Sequence, residues 1–401
     1  MKSQLRLPFY LAWQYVRRGK KWTLLLTIFM MTIAFVNLIF ISSLFNGIID
    51  GTNKQIINTL TGNIYITPSD GQETIENKDD VLLKIRSIAQ VTGVSAQTNV
   101  FGQIKYNEFS GSWQILAINP DDEKQVTNIS ENIIDGKYLD KDDLDQILIG
   151  IQIAGGKDVE QNAFSFKGAK VGEKISLNFN GLIKEFTIKG IFKTKFIQSD
   201  SRAFITQKAY DKMTNNEFSQ STNTIAVKIN DDKKNDQVIN EIKNVGINDN
   251  IYTWREVAGL MKSVSESFNS INILISIVGI LIAAVTIFIV IYVDIVNKRK
   301  QIGILRAIGV KPYIIIFSYV ILSAVYIVIG VIFGTIVFQF ILVPYFQANP
   351  FVLPICDAVL VLNKIDYIAR VEAVTWVSII SGLIPSAIIT RTKMLNAILG
   401  R

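Results

Sequence analysis

The chain has 401 residues, 49% of them hydrophobic, and a mean hydropathy of +0.31. That is too apolar for a protein wholly in water and too polar for one wholly in a membrane, so part of it must stand in solvent. Its net charge of +7 is carried without a histidine, and its one cysteine is Cys356; an internal disulfide framework, multi-cysteine metal sites, histidine catalysis and most zinc chemistry are therefore excluded.

Residues 1–21 hold six basic residues (Lys2, Arg6, Arg17, Arg18, Lys20, Lys21) and no acid, and positive charge beside a span marks its cytoplasmic side. After Pro8, a favourable first helical residue, Phe9, Ala12, Trp13 and Val16 recur at i, i+3, i+4 and i+7 and predict one apolar stripe. Two readings stand: a short amphipathic helix on the inner membrane surface, or an extension of the first span. Residues 22–49 are 28 without a charge and predict that span. A cleaved signal peptide does not fit, because the apolar region is roughly twice the usual length and no small-x-small site follows.

Residues 50–266 carry 30 acids against 25 Lys and Arg, a balance of minus five, whereas the segments expected inside sum to plus thirteen. This asymmetry places the 217-residue insert outside the cytoplasm. Within it, Asn63 to Thr67 alternates as a strand, and Asp79-Asp80 opens a helix with Lys84 and Arg86 further along, as the helix dipole favours. Ile175, Leu177 and Phe179, then Asn180-Gly181, then Phe186 and Ile188 predict a hairpin around a type I′ turn. Thr224–Ile229 reads as a strand, 231–244 as a helix and 251–254 as a strand. The expected fold is an α/β lobe built from both ends of the insert around an inserted, β-rich lobe.

Gly150, Gly155 and Lys157 approach the phosphate-loop pattern, but the lysine is one place late and Asp158 stands where Ser or Thr would hold magnesium. No catalytic, cofactor or metal residue is therefore assigned in this chain. Val257, Met261, Val264, Phe268 and Ile271 then recur at steps of four, three, four and three, a seam that continues into the second span. A helix unbroken from Arg255 to Val293 would be about 58 Å long, roughly twice the bilayer core. Two readings follow: an outward stalk matched by Phe45, Ile49, Ile56 and Leu60 after the first span, or a helix packed on the outer domain.

Residues 267–293 form the second uncharged span, and 294–311 are a polar break with Lys298, Arg299, Lys300, Arg306 and Lys311 against Asp294. This break is expected inside. Ile302, Leu305, Ala307, Ile308 and Val310 make it too apolar for a solvated connector and predict a short helix presented to a partner. The third span is expected over 313–343, ended by Pro344, Pro350 and Pro354, with Gly330 and Gly334 spaced for close helix packing or for nothing at all. An outer loop over 344–371, a fourth span over 372–390 and an inner tail over 391–401 complete a four-helix membrane protein. Its large extracytoplasmic α/β domain lies between helices 1 and 2.

The run KRKQIGILRAIGVKPYII resembles the cytoplasmic coupling segment of the FtsX/MacB-type ABC transporter permeases, with Gln301 where Glu is commoner. FNGIIDGTNKQIINTLTGNIYI, IDGKYLDKDDLDQILIG, KVGEKISL, FTIKGIFKTKF and YTWREVAGLM resemble landmarks of the lipoprotein-releasing branch, and so does the tail, with Asn396 where that branch has proline. The resemblance implies a multi-pass protein of the bacterial inner membrane with both termini cytoplasmic. It also implies a separate ABC ATPase subunit, holding ATP and magnesium, that receives Gln301, Ile302, Gly303, Leu305, Arg306, Ile308 and Gly309. A second permease copy or paralogue, membrane lipid, and a lipoprotein with its carrier are the other implied partners; no nucleic acid is expected. The functions implied are a non-catalytic exporter subunit for a lipoprotein or other lipid-like cargo or, alternatively, a regulator of an outer cell-wall hydrolase that carries nothing. A membrane-anchored enzyme is disfavoured, since the insert offers no defensible nucleophile and base.

Overall fold

The computed structural model describes residues 2–18, 21–156, 159, 162–215, 219–257, 260–353 and 355–391, without the side chains of 2–6, 23, 260–266, 268–269 and 389–391. In chain order, helices α1 (Lys2–Arg18) and α2 (Lys21–Ile56) lead through a π-helical turn (Ile57–Thr61) to β1 (Ile64–Thr67) and α3 (Lys78–Arg86). Next come β2 (Val91–Tyr106), β3 (Phe109–Ile118), α4 (Pro120–Val126), β4 (Ile133–Gly136), β5 (Gln146–Gly150) and α5 (Ile151–Ala154). β6 (Lys174–Phe179), β7 (Leu182–Phe192), α6 (Ile197–Asp200), β8 (Arg202–Thr206) and α7 (Gln207–Met213) precede β9 (Thr224–Ile229), α8 (Asn235–Asn244), β10 (Asn250–Thr253) and α9 (Trp254–Val257). The chain ends with α10 (Leu260–Asn297), α11 (Arg299–Ala307), α12 (Pro312–Val337), a π-helical turn (Phe338–Leu342), α13 (Val343–Ala348) and α14 (Lys364–Arg391). Two compact units result: Met1–Asp50, Glu266–Val352 and Asp357–Arg401 form one, Gly51–Ser265 with Leu353–Cys356 the other.

The extramembrane unit contains a sheet in which β2 serves two cores. Its first residues pair with β9, Val94 against Val227, and its last ten with β3, from Gln97–Ile118 to Tyr106–Phe109. Around the first half, β10, β1 and β9 lie beneath α3 and α8, and Ile64, Ile66, Leu82, Ile225, Val238 and Ile242 pack between them. Around the second half, β2 pairs β3, β3 pairs β8, β8 pairs β5, β5 pairs β7, β7 pairs β6 and β6 returns to β2. These six strands close into a barrel, which leaves no unpaired edge among them. Ile104, Ile115, Ile175, Leu177, Phe186 and Ile205 belong to its core. The expected hairpin is present: Asn180 (φ 49°) and Gly181 (φ 84°) both take the left-handed conformation that a type I′ turn requires. α3 has Asp79 and Asp80 in its first turn and Lys84 and Arg86 in its last.

Four helical segments among the described residues are long and apolar enough to cross a membrane: Leu24–Thr61, Ser270–Asn297, Pro312–Ala348 and Lys364–Ile388. Their shared core joins Met31, Phe35, Ile287, Ile291, Tyr319 and Val374. A Cβ on Gly330 would stand 2.8 Å from Met31 Cβ, and one on Gly334 2.8 Å from Phe35 Cδ1, so this G-x-x-x-G does draw α12 onto α2. Pro344 does not end the third segment as expected. It lies in the first turn of α13 behind the π turn, where the wider hydrogen-bond register already dispenses with the bond that its missing N–H would have made.

Of the expected seam, Met261, Val264 and Phe268 lie outside the described side chains; Val257 ends α9 and Ile271 is exposed on α10. Of the phosphate-loop look-alike, Lys157 and Asp158 lie outside the described residues, while Gly150 and Gly155 bracket α5. The tail 392–401, with Asn396, is likewise outside them.

Candidate functional site

The polar break between the second and third apolar segments folds as a separate helix. α10 ends at Asn297 and Lys298 leaves helical geometry (φ −100°, ψ 7°), but its carbonyl accepts from Ile302 N at 3.0 Å and starts α11. At the other end Gly309 (φ 95°) takes the left-handed conformation. Gly309 N donates to Arg306 O at 3.1 Å and Val310 N to Leu305 O at 3.0 Å, a Schellman closure. A side chain at Gly309 would strain this turn.

The helix is amphipathic in a direction the sequence left open. Ile302 (1% exposed) and Gly303 are buried, and Leu305 and Val310 pack on the core of the membrane unit. Ile304 (49%) and Ile308 (73%) are turned outward with Gln301, while Arg306 is half-buried. Thus the residues expected to meet a partner divide between two faces: Ile302, Gly303 and Leu305 hold α11 to the bundle, and Gln301, Ile308 and Gly309 are exposed beside Ile304. Ile304 was not singled out from sequence; its i, i+4 spacing from Ile308 was the available signal.

α11 is also tied to α1. Lys298 Nζ pairs with Asp294 Oδ2 at 2.8 Å and lies 4.7 Å from the centroid of the Tyr15 ring, which stacks on Tyr319 of α12 at 5.5 Å. The stripe expected on α1 is split. Ala12 and Val16 face the bundle, whereas Phe9 and Trp13 are exposed with Tyr10, an arrangement suited to a helix in the membrane interface.

A second constellation lies in the extramembrane unit, where the π turn after α2 is held by polar groups. Asn58 O accepts from Asn128 N at 2.8 Å and Asn58 Oδ1 from Lys228 Nζ at 2.5 Å. Ser199 Oγ donates to Thr59 O at 3.0 Å and Arg202 Nη1 to Leu60 O at 3.4 Å. Arg202 Nε donates to Gln114 Oε1 at 2.7 Å, and burial brings its guanidinium down to about 10. Trp254 packs with Ile56, Ile57, Leu60 and Phe196 on the same turn. Among the described residues no group of three His, Cys, Asp or Glu is placed to hold a metal.

The sequence model described as "MacB-like periplasmic core domain" matches residues 24–245, and that described as "FtsX-like permease C-terminal" matches 273–394. No curated protein matches the chain. Among solved structures, the extracellular domain of the noncanonic ABC-type transporter YknZ from Gram-positive bacteria is 13% identical, with 48% of this chain and 97% of that chain covered, at a TM-score of 0.34. The periplasmic region of MacB from Actinobacillus actinomycetemcomitans is 13% identical over 52% of this chain and 96% of that one, at a TM-score of 0.35. A domain of a putative permease from Porphyromonas gingivalis is 12% identical over 47% and 85%, at 0.28.

Proposed function

This chain belongs to the FtsX/MacB-type ABC transporter permeases, and on that premise we propose that it is the non-catalytic membrane subunit of an ABC exporter whose ATPase docks on α11. The observation that carries the proposal is the outward face of α11. On a helix anchored by Ile302 and Leu305, Ile304 and Ile308 lie one turn apart and form an exposed apolar pair that a docked surface would cover. The basic residues around α11 and α1 favour a cytoplasmic position for both, the side on which the ATPase would hydrolyse ATP.

Docking would move α11, and because Ile302 and Leu305 are packed into the membrane core, that motion is transmitted to the bundle rather than absorbed by a loose loop. α2 and α10 lead from the bundle into the extramembrane unit, and the polar clamp on Ile57–Thr61 gives α2 a fixed grip there. The cargo this serves is a lipoprotein or a similarly lipid-like molecule, passed on through the outer domain, and the working unit is a dimer of permeases. The alternative, a regulator of an outer cell-wall hydrolase, shares the docking step and differs in its output.

Reconstitution with the partner ATPase separates these readings. ATP-dependent release of a lipid-anchored protein from proteoliposomes supports export; ATP-dependent activation of a hydrolase without release of any lipid-linked molecule contradicts it.

A further inference from the structure

The membrane unit carries a groove of about 1110 Å³ between α2 and the end of α12 with its π turn and α13. Gly330 and Gly334 seat α12 on Met31 and Phe35. This leaves the neighbouring face of α2, with Leu25, Phe29 and Val36, opposite Phe333, Val337 and Phe346 across the groove. The floor is apolar for nearly its whole length. Leu24 and Phe40 both line it and are separated by about 24 Å of helix, most of the thickness of a bilayer's hydrocarbon layer.

One end is different. Arg17 and Lys21 line the groove there, both are exposed, and neither has an ion pair with any described residue. Trp22, 77% exposed beside Lys21, belongs at the level of the lipid headgroups. Residues 1–49 contain no acid, so nothing in that stretch competes for the two cations. Two exposed cations at headgroup level, leading directly into a long apolar trough, complement an anion attached to a hydrocarbon chain.

We propose that this groove is a binding site for an anionic glycerophospholipid, with its phosphate at Arg17 and Lys21 and an acyl chain laid between α2 and α12–α13. A second copy of the chain is the competing occupant of such a face. It is disfavoured at this place because a symmetric pairing would set Arg17 and Lys21 against the same acid-free stretch of the partner, residues 1–49, and desolvate them there.

The test uses the full chain in detergent, with phosphatidylglycerol and phosphatidylcholine of identical acyl chains as probes and native mass spectrometry as the readout. Retention of phosphatidylglycerol is expected to exceed that of phosphatidylcholine by about tenfold or more, the size expected from two cations near a headgroup. The double variant Arg17→Gln, Lys21→Gln should abolish that preference without changing phosphatidylcholine retention, while Arg18→Gln, which does not line the groove, should leave it intact. A phosphatidylglycerol carrying a diazirine on its acyl chain should crosslink to peptides from 25–40 and 333–346. Equal retention of the two lipids, or a preference that survives the double variant, would overturn the proposal. So would a disulfide between two copies formed by Phe29→Cys in a Cys356→Ala background, because the groove would then be an interface between chains.

Discussion

Asp200 gives the extramembrane unit a pH dependence whose sign and size follow from its surroundings. Its side chain is buried and accepts from Thr194 N at 2.7 Å and Thr194 Oγ1 at 2.8 Å. Burial outweighs those bonds and raises the carboxyl from 3.8 to about 6. A carboxyl whose folded value lies above its unfolded value favours the protonated fold. Its contribution is fully present below pH 3.8 and is lost as the pH rises through about 6. At 1.36 kcal/mol per unit the loss is about 3 kcal/mol. In Asp200→Asn the amide oxygen can keep both Thr194 bonds, but the amide nitrogen cannot accept the backbone bond that Lys195 gives the carboxylate. The variant should therefore start about 1 kcal/mol less stable near pH 4 and gain about 2.4 kcal/mol relative to the parent between pH 4 and pH 8. For a unit of this size that relative gain is about 5 to 10 °C in Tm. Thermal unfolding of the detergent-solubilised full chain, followed through Trp113 and Trp254, measures it. A difference between parent and variant that stays constant from pH 4 to pH 8 would refute the reasoning.

Arg202→Met should destabilise the same unit by about 2 to 5 kcal/mol, because Gln114 Oε1 and Leu60 O lose their buried donor; an unchanged unfolding midpoint would show that the clamp carries no load. Gly334→Leu drives a side chain into Phe35 and should cost about 1 to 3 kcal/mol of packing in the membrane unit, read as earlier thermal aggregation than the parent. Cys356 is only 1% exposed and lies 3.8 Å from Thr52 Oγ1, so it is a poor topology probe. In Cys356→Ala, Val352→Cys, where the exposed Val352 sits on the loop expected outside, an impermeant maleimide should label intact spheroplasts; labelling only after the inner membrane is opened would reverse the orientation.

Local chemistry was legible wherever a residue type allows few conformations. Asn180-Gly181 could only be a tight turn between two alternating runs, and the short apolar run Thr224–Ile229 has a strand as its outcome. The barrel closure was not legible, because the pairing of Ile104 with Leu177 joins segments far apart in sequence, and neither signals its partner. The passage of the helix beyond Pro344 depended on a π turn that leaves no composition mark. For α11 the sequence showed a segment too apolar for a solvated connector, without saying which of its apolar residues point to a partner. Which side faces the bundle is decided by the tertiary setting of Lys298 and Gly309, and that assigned Ile302 and Leu305 inward and Ile304 and Ile308 outward.

That assignment makes Ile308 the discriminating position. A substitution at Leu305 would disturb the membrane core as well as any docking surface, whereas Ile308 is 73% exposed and can be changed without unfolding the helix. Ile308→Asp places an unpaired charge in the proposed contact, which should weaken ATPase association by several kcal/mol. Co-purification of the ATPase with the full-length permease is the measurement, with thermal stability of the permease alone as the control. We expect association to collapse while stability is unchanged; full association at parental levels would contradict docking on α11.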